Sequence, residues 1–328
     1  MPTVETAKGP VEVHDLGLTL MHEHVFVLST EHVQNYGAGN WWDEEARVAD
    51  AVAKLRVLGA KGIKTIVDPT VWGIGRYIPR IQRIAAQVDL NIIVATGLYA
   101  YEELPHQYAY RGPGLLLDVP EPMVADFTGD IVDGIGGTGV KAAFLKCCVE
   151  AAGLTPGVER IARAVARTHV DTGAPITVHT SGPAQSGRLA LDLFGKEGVD
   201  LTKVVIGHAG DSNDVDYLME LADAGATLGM DRFGLDLFNP TADRIRTIAA
   251  LAARGYADRM VLAHDASCFI DYFGAAHDDI RAAATPNWHY EYISDDVLPA
   301  LGEAGVTDAQ IQQMLVDNPR RYFTRSRP

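Results

Sequence analysis

Three observations predict an α/β fold, a closed parallel (β/α)8 or TIM barrel. Eight short β-rich runs alternate with stretches of helical spacing. Glycines close several of those stretches just before the next run, and ionisable side chains gather at the ends of the runs. At 328 residues the chain suits one such unit. No linker, low-complexity tract or repeat divides it, so residues 1–328 read as one domain. An open doubly wound sheet would place a glycine-rich phosphate loop after the first run, and "HEHVFVLST" has none.

The elements follow in order. A short N-terminal hairpin is expected over residues 3–13. The runs are LTLMHEHVF (18–26), IKTIVDPT (63–70), NIIVATGLY (91–99), AAFLKCC (142–148), PITVHT (175–180), KVVIGHAG (203–210), ATLGMDR (226–232) and RMVLAHDA (259–266). Between them, EEARVADAVAKLRVLGAKG, RYIPRIQRIAAQVD, PGVERIARAVARTHVDTG and NDVDYLMELADAG carry apolar residues at helical spacing. In "AKG-IKT", "DTG-API" and "DAG-ATL" a glycine stands where a helix C-cap belongs. The tail from Ser294 to Phe323 predicts one or two terminal helices.

Barrel chemistry collects at the C-terminal ends of the strands. There the sequence places His22 and His24 on the first, Lys146 on the fourth, His179 on the fifth, His208 on the sixth and Asp265 on the eighth. Strand alternation puts His22 and His24 on one face and Met21, Glu23 and Val25 on the other. One such histidine alone reads as a hydrogen-bonded core imidazole. Four with an acid, all aimed at one mouth, read as a site for zinc or its first-row neighbours. Lys146 would bury an ammonium beside cations, at a large electrostatic penalty. Addition of carbon dioxide would make it an anionic carbamate able to bridge two ions; snorkelling or pairing with a carboxylate is the alternative. Asp265 shares its ambiguity with His264, which a one-residue shift of phase would turn inward.

The formal net charge of -15, from 43 acidic and 28 basic residues, disfavours nucleic acid and anionic membranes as partners. No secretory leader pattern and no apolar run of about 20 residues is present, so a cytoplasmic protein is expected. Three cysteines, with Cys147 and Cys148 adjacent, lack the spacing of a disulfide framework or a thiolate zinc site.

"TLMHEHVF", the lysine-bearing "LKCC", "VHT", "IGHAGDS", "GMDRFG", "LAHDASC" and "DNPRRYF" resemble the phosphotriesterase family of the amidohydrolase superfamily, and within it the phosphotriesterase-like lactonase branch. The resemblance runs essentially end to end. It implies a binuclear centre in which His22, His24 and Asp265 hold the buried ion and His179 and His208 the more exposed one. Lys146, as the carbamate, and a hydroxide would bridge the pair. It also implies that Asp265 accepts the hydroxide's proton, that Tyr99 positions a lactone, that Arg232 stands at the pocket, and that the protein is a homodimer. The loop "SCFIDYFGAAHDD" would form a lid, with Cys268, Phe269 and Tyr272 as an apolar wall for an acyl chain. Zinc, cobalt, manganese or iron suits such a donor set. His14, His32, His106, His169, His277 and His289 stand away from the strand ends and read as surface or supporting residues. The chain departs from the branch at Ser181, where a further histidine is common, and at Ala209, where a bulkier residue is common.

Three functions compete. The first is hydrolysis of N-acyl homoserine lactones and other γ- or δ-lactones, as in quorum quenching, with promiscuous organophosphate triesterase activity. The second makes the triesterase primary, as an aryldialkylphosphatase. The third is a barrel that binds a ligand or partner without turnover, which a lost ligand would favour.

Overall fold

A computed structural model describes residues 2–324 except Gly39, and the side chains of Ala275, His277 and Asp278 also lie outside the described set. Two short strands, β1 (Thr3–Thr6) and β2 (Gly9–Glu12), pair antiparallel as the expected hairpin. The next strand is β3 (Leu18–Leu20), and β4 (His24–Val27) continues it beyond a break at residues 21–23. Then follow β5 (Ile63–Asp68), β6 (Asn91–Gly97), β7 (Phe144–Val149), β8 (Ile176–Thr180), β9 (Val204–Gly207), β10 (Thr227–Met230), β11 (Met260–Leu262) and β12 (Ser267–Ile270). Strands β3 and β5 to β11 form one eight-stranded sheet in chain order, with every recorded pair parallel.

Its two edges meet. The Met21 amide donates to Leu262 O at 3.1 Å, Asp265 N to His22 O at 3.0 Å and His24 N to Ala266 O at 2.8 Å. Above this seam β4 and β12 pair in parallel. The sheet is therefore a closed (β/α)8 TIM barrel. Long connections such as helices Glu44–Ala60, Pro156–Thr172 and Thr241–Ala253 cover its outside. Residues 293–303 and 308–323 form the terminal helices. No helix among the described residues is long and apolar enough to cross a membrane.

Alternation along the strands builds two apolar layers. Val67, Ile93, Ala95, Phe144, Val205 and Val261 fill the barrel interior, while Ile66, Ile92, Val94, Leu145, Val178 and Ile206 face the helices. The lower end is plugged by the helix Asn318–Phe323, where Tyr322 and Thr177 hydroxyls lie 2.9 Å apart and Phe323 meets Phe144 edge-on. The top is left open for the polar strand ends.

One expectation changes at the first strand. Met21 packs with the interior cluster rather than with the opposite face, because the chain leaves strand geometry at residues 21–23 and the alternation restarts there. Glu23 does leave the mouth, yet it is completely buried, accepting from the amides of His264 and Ala266 at 2.7 and 3.1 Å and lying 2.7 Å from His264 Nδ1. His169 is also buried rather than superficial, with its two ring nitrogens at Ala174 O and the Asp200 amide. The side chain of His277 lies outside the described set.

Candidate metal centre

Strand phase decides which polar side chains reach the mouth. On β7 Phe144 faces the interior while Leu145, Cys147 and Val149 face the helices, so Lys146 projects inward. On β8 the outward Val178 leaves His179 inward. Past β11 the inward Val261 and outward Leu262 leave His264 outside and Asp265 inside. His264 is held there by Glu23 on Nδ1 and by the Ile293 amide, which donates to Nε2 at 2.9 Å.

Three of the side chains stand on left-handed backbone: His208, Arg232 and Asp265 have φ of 62°, 64° and 53°. For non-glycine residues this costs about 1–3 kcal/mol each and persists only where the surroundings fix it. Strain of this kind concentrates where a side chain must be aimed.

The structure brings His22, His24, Lys146, His179, His208 and Asp265 together. The Nε2 atoms of His22 and His24 lie 3.4 and 3.3 Å from the same Asp265 oxygen. Nδ1 of His24 is 2.7 Å from the Thr70 hydroxyl, which donates to Asp68 Oδ1 at 2.5 Å. His208 Nε2 is 2.8 Å from His179 Nδ1. Their outer nitrogens meet carboxylates: His208 Nδ1 is 2.8 Å from Asp231 Oδ1, and His179 Nε2 is 2.7 Å from Glu150 Oε1. Among the described residues, His22, His24 and Asp265 form one group able to hold an ion, His22, His208 and Asp231 a second, and Cys148, Glu150 and His179 a third.

Two features test whether this donor set suits cations. Burial would raise the Asp231 carboxyl, but His208 and His22 draw it well below the usual carboxylate range; the hydrogen bond from His179 likewise lowers Glu150. Ionised carboxylates only accept, so the outer imidazole nitrogens carry the protons. The inner nitrogens then face each other as two lone pairs at 2.8 Å, an arrangement that needs a cation or an extra proton between them. Second, Lys146 Nζ is buried without a hydrogen-bond partner, and burial lowers its pKa toward the neutral amine. Burial, reinforced by Lys146, also drops His22 to about 4, leaving a neutral imidazole. At His24 burial opposes charge, but hydrogen bonds to Asp265 and Asp68 raise it to about 9, so an entering cation displaces a proton there. The residues fit divalent ions.

Arg232 does not pair with Asp231. Its Nε donates to Asp265 Oδ2 at 3.0 Å and its Nη1 to Asp211 Oδ2 at 2.7 Å. Burial disfavours its charge, but Asp265 and Asp211 more than restore it. Tyr99 stands edge-on to His179 with ring centroids 5.5 Å apart, and burial raises its hydroxyl pKa, so the proton stays on.

Above these groups opens a cavity of about 380 Å³. Tyr99, Arg232 and Tyr272 line it, with Val27, Ile74, Leu235, Phe238, Ile270, Phe273 and Trp288. Cys268 and Phe269 do not form its wall. After Asp265 the chain resumes as β12 beside β4, followed by the helical residues 271–284, instead of forming a plain lid loop. This turns Cys268 to Tyr290 Oη at 3.4 Å and buries Phe269 against Trp41 and Trp42. Ser267 and Ile270 face the cavity instead.

Asp231, Glu150, Asp68 and Thr70 support the site without having been singled out from the sequence. Glu150 follows Lys146 and Cys148 at spacing two, a signal that strand periodicity carries. Asp231 carries the same signal, since Leu228 and Met230 face the helices and leave it inward, while the left-handed Arg232 lets the next residue address the same site.

The family model for the phosphotriesterase family matches residues 2–323. The solved phosphotriesterase from Mycobacterium tuberculosis is 55% identical, with a TM-score of 0.95 over 99% of both chains. An aryldialkylphosphatase from Saccharolobus solfataricus is 34% identical over 97% of this chain and 98% of its own. A structure described as molecular engineering of organophosphate hydrolysis from a weak promiscuous lactonase template is 31% identical, with a TM-score of 0.87 over 98% and 99% of the two chains. With its barrel, its convergent imidazoles and these relatives, the chain belongs to the phosphotriesterase family of metal-dependent hydrolases.

Proposed function

We propose that the protein opens lactones, N-acyl homoserine lactones among them, with organophosphate triester hydrolysis as a secondary activity. The observation that carries this reading is the apolar cavity of about 380 Å³ lying directly over the converged donors. Its Val27, Ile74, Leu235, Ile270 and Phe273 suit an acyl chain, while Tyr99 and Arg232 line the same cavity, Tyr99 beside His179.

Under this reading His22, His24 and Asp265 would hold the buried ion and His179 and His208 the exposed one, with Lys146 as its carbamate supplying further anionic oxygen ligands. Burial favours the neutral amine, which adds to carbon dioxide, forming a C–N bond and releasing one proton. When bound, two such ions supply hydroxide near neutral pH and polarise the carbonyl under attack. The Tyr99 hydroxyl donates to the lactone and fixes its approach. Asp265, kept ionised by its neighbours although burial opposes this, would take the proton of the attacking hydroxide and return it to the ring oxygen as the acyl C–O bond breaks. Arg232 holds Asp265 by one carboxylate oxygen during this exchange.

A primary triesterase is the second reading, favoured by the aryldialkylphosphatase relative. The test compares kcat/KM for homoserine lactones of increasing chain length with that for a paraoxon-like triester. The lactones should lead, gaining about tenfold for every two methylenes seated in the cavity. Lactone turnover no faster than in His22→Ala, beside efficient triester hydrolysis, would reverse the order.

A further inference from the structure

We propose that Glu150, at the rim where β7 ends, is a positioning residue that aims His179 at the exposed ion and sets how tightly that ion is held. This deepens the two-ion reading above and rests on it.

The geometry of three ligands makes the case. His24 turns its outer nitrogen to the buried Thr70–Asp68 pair, His208 to the buried Asp231, and His179 to Glu150 at 2.7 Å. Each ring is thereby fixed with its other nitrogen inward: Nε2 of His24 toward Asp265, and Nε2 of His208 toward Nδ1 of His179. An acceptor on the outer N–H fixes the tautomer and raises the basicity of the inner nitrogen. Of these three acceptors Glu150 alone is substantially open to solvent, its side chain 46% exposed against 1% for Asp231 and 2% for Asp68.

Cys148 belongs to the same cluster as Glu150 and His179, whose donor atoms lie within 4.8 Å of one another. Sulfur is a weak acceptor, so the N–H goes to the carboxylate at 2.7 Å. Glu150 does not line the cavity, which separates its effect on the ligand from contact with substrate. The ion carried by His179 and His208 is accordingly the one whose hold is tuned from the surface. Removing such an acceptor weakens metal binding by about 10–100-fold.

The experiment titrates metal-depleted wild type, Glu150→Ala and Glu150→Gln with zinc against a competing chelator, and records the imidazole 15N tautomer of His179 before zinc is added. In Glu150→Ala the first zinc should bind as in wild type and the second about 10–100-fold more weakly, with a smaller loss in Glu150→Gln, whose amide oxygen still accepts. The proton on His179 Nε2 should be present in wild type and lost as the dominant form in Glu150→Ala. Two zinc ions bound as tightly by Glu150→Ala as by wild type would overturn the proposal. So would equal weakening of both steps, the mark of general loosening, or an unchanged His179 tautomer. Wild type taking up fewer than two zinc ions would sink the two-ion reading itself, and this proposal with it.

Discussion

A Lys146→Ala protein should lose metal and activity together, with lactone turnover falling on the order of a thousandfold or more. Lys146 Nζ is buried, unpartnered and stripped of its usual basicity by burial. A side chain with only a packing role would make its substitution a matter of stability alone. Under the proposed reading its carbamate would supply the anionic oxygens that join two ions, so its loss would remove the bridge and free both. Millimolar acetate or formate should restore part of the activity by placing a carboxylate in the vacated space, whereas Lys146→Met, similar in volume and without a nitrogen, should respond only if that space remains. Metal content and turnover measured on the same samples check the result. Full activity in Lys146→Ala refutes the bridging role.

The second large effect concerns stability. Glu23→Ala leaves the amides of His264 and Ala266 and the His264 ring without their acceptor, all in a region closed to solvent. Orphaned buried donors cost about 1–3 kcal/mol each, and part of the loss is regained by rearrangement, so a net destabilisation of about 3–5 kcal/mol is expected. The same bonds flank Asp265, whose left-handed backbone needs such support. Guanidinium unfolding should show a lower midpoint, and Glu23→Gln should fall between the two proteins. A midpoint unchanged in Glu23→Ala would show that the buried carboxylate holds nothing in place.

These two residues mark what sequence alone conveys. Lys146 was legible because strand period and barrel geometry both aim it at the mouth, and its charge then demanded an explanation. His22 and His24 were legible for the same reason, although the strand breaks between Leu20 and His24 and the alternation that paired them does not carry back to Met21. Glu23 reads correctly as facing away from the mouth, but not as the clamp on Asp265, because its partners are main-chain amides more than 240 positions along the chain. Cys268 and Phe269 were misplaced for a related reason: a segment resembling a loop pairs as β12 with β4, and side chains beyond Asp265 follow that pairing. Asp231 and Glu150 each stand at an inward position by strand period, but nothing in either pattern says which ring such a carboxylate touches, and that contact lies in the fold.

Anomalous diffraction from crystals of the zinc-loaded protein tests the central claim most directly. Two peaks are predicted, one within about 2.0–2.2 Å of His22, His24 and Asp265 and the other at the same range from His179 and His208, with density extending from Lys146 Nζ to both. A single peak, or an unmodified Lys146 amine standing apart from the ions, would contradict the account.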